Sequence, residues 1–527
     1  MSNRYSAKLI RSSPTSAAYL RLVDHSAKKT YKIGVSVKED RPPSRNYLPV
    51  AADGIDLAAV LHVLDRAIPR DEGAKVEVEV DIPLRRPSAF KDSREELQMA
   101  LRQYSHDQWS FTFSRGSWEG LRPERSLIGE RSEATGQDLQ HQLFERKGPL
   151  EVALFSGGLD SLAGFVHRVR KHPETDFLLV GSGSSLEVIG LQKRLVHALR
   201  RRVGCSRPTF QLQQTRIHPY YPGSSPPLGS FNTAPRLRGF VFALIGASQA
   251  AMRGRDRLHI HENGVGAINL PFGGGVRKRD HATAVHPKTL RKTGDFLSAV
   301  LGKDFEVSNP FLFKTKSEMC ESIADLSWAS RLASKTISCD YKPRESYRKR
   351  VRHCGTCSSC LLRRLSFMAS GLRDQTDYAC LQPGYEFAKD DRSHWRGMRS
   401  QTRELGECLR GVRPWPALAN SFPSLEDVRL YAPAQGRSST IDGLADEKAK
   451  TEENLADLYR RHVEDWNRFG DQIRPRPLLP ERHERNPNPT QRPYHERLGE
   501  KRNRHATSRS RAEEGPQPTG HDPERSR

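Results

Sequence analysis

Ser156, Gly157, Gly158, Asp160 and Ser161 fall together in the stretch LFSGGLDSLAG (154–164), between a short apolar run and a helical pattern. Adjacent glycines suit neither a strand nor a helix interior. They suit a sharp turn whose N–H groups stay open to a ligand. A strand, a glycine turn and a helix start make an anion site, because converging N–H groups and the helix dipole add positive potential. The Lys-Ser/Thr of a P-loop is missing, and neither GxGxxG nor the GxSxG elbow of serine hydrolases is present.

A second constellation is Cys339, Cys354, Cys357 and Cys360, four of eight cysteines gathered within 22 residues. Four thiolates at this spacing suit tetrahedral Zn²⁺, and a complete set leaves no open position for catalysis. An iron–sulfur cluster is the alternative that spacing leaves open. His353 could replace one thiolate, although a residue adjacent to a ligand rarely points at the same ion. Between Cys339 and Cys354 runs a basic segment, 342–352, with Lys342, Arg344, Arg348, Lys349, Arg350 and Arg352. It is either a solvated face or a surface for nucleic acid or an acidic partner. The isolated cysteines read as core residues.

These residues need a scaffold. The chain has 527 residues, enough for several domains; 35% are hydrophobic and 28% charged, with a formal net charge of +23. That balance makes acidic partners such as nucleotides or nucleic acid a natural class. No stretch approaches the ~20 apolar residues of a membrane span, and the first residues lack a signal-peptide core. A cytoplasmic location is the expectation.

From Leu150 the pattern alternates strands and helices: LEVALF, SLAGFVHRVRK, DFLLVG, LEVIGLQKRLVHALRRRVG, TFQLQQTRI, PRLRGFVFALIGASQAAMRG, RLHIHENG. This predicts an α/β fold, a parallel sheet with helices on both faces and ligands beyond the carboxyl ends of the strands. Glu262 and Asn263 follow the fourth of these strands at such an end, where they would contact substrate or metal, or simply cap a turn. Residues 1–147 read as a separate α+β accessory domain, with strands at KVEVEVDI and WSFTFSR and helices at Leu57–Leu64 and Glu95–Tyr104. The catalytic domain is expected at 148–337 and the metal module at 338–385. A helical extension is expected at 386–470, with a loop-like stretch from Arg413 and an amphipathic helix Glu447–Phe469. Residues 471–527, rich in Pro, Arg, Glu and His, read as a disordered tail.

The Ser-Gly-Gly-x-Asp-Ser stretch resembles the pyrophosphate loop of PP-loop ATP pyrophosphatases. With CGTCSSCLLR downstream, residues 150–370 resemble the QueC-like (7-cyano-7-deazaguanine synthase) family. The resemblance implies ATP and Mg²⁺ as ligands, with pyrophosphate cradled by the Ser156 and Ser161 hydroxyls and the amides of Gly157, Gly158, Leu159 and Asp160. Asp160 would hold Mg²⁺ or orient the loop. Arg238, in PRLRGFVF, and Pro310, Lys316 and Glu318, in NPFLFKTKSEM, resemble further family positions, and imply an ATP contact at Arg238 and a phosphate contact at Lys316. The implied reaction adenylates a carboxylate, 7-carboxy-7-deazaguanine, before an amine displaces AMP. The long leader, the C-terminal extension and HENGVGAINLP (261–271) are similar to the QueC-like proteins of anti-phage systems such as Qat, which implies partner proteins. Other classes stay open: the biosynthetic nitrile-forming enzyme, a tRNA-modifying PP-loop thiolase using Cys205 or Cys320, and a non-catalytic nucleotide-binding subunit.

Overall fold

The computed structural model describes residues 3–10, 18–39, 48–70, 75–116, 148–183, 185–203, 210–224, 227–231, 235–272, 283–340, 353–381, 392–432 and 441–475. The strands are β1 (Asn3–Ile10), β2 (Tyr19–Asp24), β3 (Lys29–Glu39), β4 (Val76–Leu84), β5 (Gln108–Arg115), β6 (Leu150–Leu154), β7 (Asp176–Ser182), β8 (Phe210–Tyr220), β9 (Arg257–His259) and β10 (Glu306–Ser308). They form a single ten-stranded sheet in the order β10-β9-β6-β7-β8-β3-β2-β1-β4-β5. The helices begin with α1 (Pro49–Ala67), α2 (Pro87–Asp92) and α3 (Arg94–Tyr104). They continue with α4 (Leu159–Lys171), α5 (Leu186–Val203), α6 (Arg238–Ala251), α7 (Gly264–Ile268), α8 (Pro287–Leu301), α9 (Lys316–Glu321) and α10 (Ala329–Ala333). Last come α11 (Ser358–Ala369), α12 (Ser393–Cys408), α13 (Trp415–Ser421), α14 (Ser424–Tyr431) and α15 (Ile441–Phe469).

Strands β6 to β10 are all parallel, as alternating apolar strands and crossover helices require. Alternate residues of β6 and β7 enter different cores. Val152, Leu154, Leu178 and Val180 meet α6 and α8, while Ala153, Phe177 and Leu179 meet α4 and α5. In this half the sheet has helices on both faces. The order reverses between β6 and β9, and the carboxyl ends flanking that reversal are where an open α/β sheet offers a crevice.

Residues 1–147 are expected as a domain of their own; their described strands β1–β5 join the same sheet. β3 pairs antiparallel with β8 from Gly34↔Tyr220 to Glu39↔Thr215. One hydrophobic core runs from Leu20 and Ile33 through α1 to α6 and β6. α1 is apolar over most of its surface because it is wedged between the sheet and α6. Asp65 of α1 accepts from the Leu237 N–H, 2.7 Å away, capping the entry to α6, and is itself paired with Arg70. The expected strands at KVEVEVDI and WSFTFSR are β4 and β5, and the two expected helices lie within α1 and α3. Nothing in the sequence reading pointed to β1–β3.

Two further expectations change in the C-terminal region. The segment from Arg413, read as loop-like, contains α13 and α14, whose Leu418, Leu425 and Val428 pack with Leu455 and Tyr459 of α15. The stretch read as disordered from 471 is ordered at its start. Ile473 is fully buried against Trp395 and Leu361, and its carbonyl accepts from Arg364 at 2.9 Å. Residues 476–527 lie outside the described residues. No helix is long and apolar enough to cross a membrane, among the described residues.

Candidate active site and four-cysteine centre

The loop after β6 turns on Gly157, whose φ of +85° lies in the left-handed region that side chains disfavour. Its turn brings the hydroxyls of Ser156 and Ser161 to 2.7 Å, and the Gly158 N–H donates to Ser156 Oγ at 3.1 Å. Gly158 is the N-cap of α4 and makes no side-chain capping bond, so the helix start faces the loop mouth. Ser156 is exposed there while Asp160 and Ser161 are buried. The loop is an open ring of N–H and O–H groups on the positive end of a helix.

Behind it, four predicted residues converge. Asn263 Nδ2 donates to Asp160 Oδ1 at 3.0 Å and to Glu262 Oε1 at 2.8 Å. Lys316 donates to the other oxygen of Asp160. Asn263 also caps α7 by accepting from the Gly266 N–H at 2.9 Å, which fixes its amide between the two acids. Gly264 is required beside it, since an added Cβ would meet the Leu312 carbonyl oxygen at 1.8 Å. Burial, then the negative charge of Asp160, pushes the Glu262 carboxyl up to about 8. For Lys316 burial acts to lower the pKa, but Asp160 and Glu262 outweigh it and the ammonium is held charged. The cluster therefore presents two carboxyl groups, one of them with a raised proton affinity, and one cation at the sheet's reversal point.

The family-like segment around Lys316 has a local explanation. Thr315 and Glu318 form a reciprocal capping box, with Thr315 Oγ1 accepting from the Glu318 N–H and Glu318 accepting from the Thr315 N–H. That box starts α9 at Lys316 and aims its side chain inward. Pro310 lies in the turn leading there. His261, the first residue of HENG, packs elsewhere: an added Cβ on Gly164 would sit 2.6 Å from its Cβ, and its Nε2 lies 3.6 Å from Glu151. Arg238 is not brought to the cluster. It starts α6, on the opposite face from α4, is exposed, and its charge helps lower the His62 pKa.

The four cysteines do meet. Their sulfur atoms all lie within 4.8 Å of one another, and Cys354 and Cys360 are 3.9 Å apart. Ligands ~2.3 Å from a tetrahedral Zn²⁺ stand roughly 3.8 Å apart, so the set fits that ion. The Thr356 and Cys357 N–H groups donate to Cys354 Sγ at 3.4 and 3.3 Å, in a turn made by Gly355 at φ +85°. Mutual contacts among the four thiols pull the Cys354 thiol far down and push those of Cys357 and Cys360 up, as when close thiols share protons. His353 is not in the set; its Nε2 accepts from the Ser338 N–H at 3.3 Å. The basic segment 342–352, read as a solvated face or a partner surface, lies outside the described residues, as does Cys205.

Three residues that the sequence reading missed tie these centres together. The Ile337 N–H donates to the Gly157 carbonyl at 3.2 Å, and Ser338 Oγ accepts from the Leu159 N–H at 3.4 Å. Ser338 precedes Cys339, so a residue of the four-cysteine set is next to a support of the loop. Arg363, fully buried in α11, binds this strap: to Thr336 Oγ1 at 2.8 Å and the Ala333 carbonyl at 2.7 Å, and to Thr376 Oγ1 at 3.0 Å. On the other side, Gln192 Nε2 donates to the Ser156 and Ser182 carbonyls at 3.3 and 3.2 Å. A lone Gln in a helix carries no sequence signal, and neither does an Arg in a helix rich in Arg.

Residues 284–371 match the family model described as Queuosine biosynthesis protein QueC. No curated protein matches the chain. The matched segment holds Lys316, the strap, Arg363 and the four cysteines, and in this part the chain is similar to that family, which supports an ATP-using PP-loop enzyme.

Proposed function

We propose that the chain is an ATP-dependent PP-loop enzyme of the QueC type that adenylates a carboxylate. The observation that carries this is the junction of Asp160 with Lys316 and Asn263 directly behind the Ser156–Ser161 ring. In this reaction a carboxylate oxygen of the substrate, 7-carboxy-7-deazaguanine, attacks the α-phosphorus of ATP, and the bond to the β-phosphate oxygen breaks. The loop N–H groups with Ser156 and Ser161 bind the departing pyrophosphate, and such donors are worth ~10²–10³ in rate each. Lys316 offsets negative charge at the loop. Asp160 and Glu262 are the carboxylates that would hold Mg²⁺, which when bound neutralises phosphate charge.

An amine then attacks the acyl carbon, AMP leaves with the C–O electron pair, and the amine gives up a proton. Water takes that proton. An amine of a partner protein, as the likeness to the anti-phage branch suggests, would give an amide conjugate; ammonia and a second adenylation would give the nitrile. The four-cysteine centre is structural zinc that braces the loop through Ser338. A thiolase that uses Cys320 is disfavoured, because burial pushes that thiol up to about 12.

The test is ATP–pyrophosphate exchange with a set of carboxylates. Exchange dependent on 7-carboxy-7-deazaguanine, and silent with its decarboxylated analogue, is the expected result. Exchange with no carboxylate dependence would remove the adenylation step.

A further inference from the structure

The leading half of the sheet has an open face. In β2, Leu20 and Leu22 are buried in the core, so Tyr19 and Arg21 point to the other side; in β3, Tyr31, Ile33 and Val35 are buried, so Lys32, Gly34 and Lys38 point there too. In β8, Ile217 enters the core shared with α1, so Arg216 and Tyr220 share this opposite face. α1, α2 and α3 all bury their apolar residues on the core side. Among the described residues, no helix buries side chains against the opposite face of β1–β3. Arg21, Lys32 and Lys38 are exposed, while Tyr19, Arg216 and Tyr220 are half-buried.

The charges on this face are arranged against ordinary sheet design. Arg21 stands directly opposite Lys32, and Lys38 directly opposite Arg216. Like charges in directly opposed cross-strand positions are destabilising. Further along, Lys8 and Arg4 of β1 are neutralised by Asp81 and Glu79 of β4. No such ion pair is made by Arg21, Lys32, Lys38 or Arg216 among the described residues. Four uncompensated cations held in two opposed pairs call for an anion with regularly spaced charges.

Aromatic surface lies among them. Tyr19, Gly34 and Tyr220 are consecutive partners across three strands. The missing side chain of Gly34 lets the Tyr220 ring lie flat over β3, where an added Cβ would come 2.3 Å from a ring atom. Tyr19 carries the Lys32 ammonium 4.2 Å from its ring centroid. Strands ~4.8 Å apart set two rings side by side within a field of cations. Aromatic rings that stack bases, interleaved with cations that hold phosphates, are the chemistry of single-strand recognition on an open sheet.

We propose that the open face of β2, β3 and β8 binds single-stranded nucleic acid. The phosphates lie between the opposed cation pairs and the bases stack on Tyr19 and Tyr220. This surface is separate from the Ser156–Ser161 loop and does not depend on its chemistry.

The test is fluorescence anisotropy of the full chain with labelled oligo-U and oligo-dT of ~12 nucleotides, a length typical of such sites, at several salt concentrations. The double variant Arg21→Glu/Lys32→Glu should bind at least about tenfold more weakly, with a salt slope shallower by about 1.4, near 0.7 per cation removed. Tyr19→Ala/Tyr220→Ala should weaken binding by about tenfold or more through lost stacking with the slope unchanged. Lys38→Glu, which turns a like-charge pair into an ion pair with Arg216, should lose affinity while raising Tm, so folding failure cannot mimic the result. Pyrophosphate release without oligonucleotide should be unaltered in all three. Unchanged affinity in either double variant would overturn the proposal. So would equal competition by polyglutamate, which would assign the face to an acidic protein, or equal binding of duplex that ignores the tyrosines.

Discussion

The two halves of the ten-stranded sheet solve burial differently. β6 and β7 are covered on both faces, so they are apolar at nearly every position and the chemistry is pushed to the loops at their carboxyl ends. β1–β5 are covered on one face, so they alternate, and their polar residues remain on the sheet itself. The first half concentrates charge in a buried cluster of Asp160, Glu262, Asn263 and Lys316, and the second spreads it over a surface. A buried cluster can shift proton affinities and stabilise a transition state, because its partners are few and fixed. A spread surface can only recognise an extended ligand.

The sharpest way to break this contrast is the metal centre. Cys357→Ser should lower bound zinc from one per chain to none, and should unfold the module and the strap with it. A structural four-thiolate site contributes folding energy directly. Metal analysis with thermal unfolding checks this. A brown iron chromophore, or a variant as stable as wild type, would contradict it.

Truncation comes next. A chain ending at Pro475 should match wild type in Tm. One ending at Gly470 should be less stable by about 2–4 kcal/mol, since Ile473 fills the space between Trp395 and Leu361. Equal stability of the two would mean that the C-terminal turn does not close the core.

Arg363→Leu tests whether the strap links the two centres. Its loss leaves Thr336, Thr376 and the Ala333 carbonyl without a charged donor, each such bond being worth about 1.5–3 kcal/mol. Zinc content should stay at one per chain while the KM for ATP rises, and Arg363→Lys should restore part of it. A variant that loses zinc and ATP binding together would make Arg363 a support of the whole module only.

The smallest effect is a pH dependence. Glu262 has a folded pKa near 8 against about 4.5 unfolded, so the folded protein keeps a proton that the unfolded chain has lost between those values. Its contribution to stability therefore falls as pH rises from about 4.5 to 8, and is flat above. Glu262→Gln should remove that slope. Urea midpoints measured from pH 5 to 9 would show it, and an unchanged slope would place the charge elsewhere.

Which of these features could be read in the sequence follows from the same contrast. The loop, the cysteines, Glu262 and Asn263 were legible because they are local patterns at strand or helix ends. Lys316 was visible in its segment, but its burial was not, since a lysine at a helix start is usually solvated. β1–β3 escaped notice because one-sided strands of Lys, Arg and Tyr lack a long apolar run. The fusion of the leading segment to β8 was invisible, because edge pairing depends on backbone groups that every sequence carries. Arg238, at a position that resembles a family site, begins a helix on the other face of the sheet from α4, and a sequence carries no sign of which face a helix will take. The order at Ile473 escaped because one apolar residue among prolines and arginines carries no period.

The claim that the Ser156–Ser161 loop cleaves ATP between the α and β phosphates is tested most directly by product analysis. Wild type and Asp160→Asn should be incubated with ATP, Mg²⁺, 7-carboxy-7-deazaguanine and ammonia as the amine, and the nucleotides separated. Asparagine keeps the side-chain volume beside Lys316 and Asn263, so the fold should survive. The account predicts AMP and pyrophosphate in equal amounts from wild type, with the rate lowered by about 10²–10³ in the variant. ADP and inorganic phosphate as products, or AMP formed equally fast by Asp160→Asn, would contradict it.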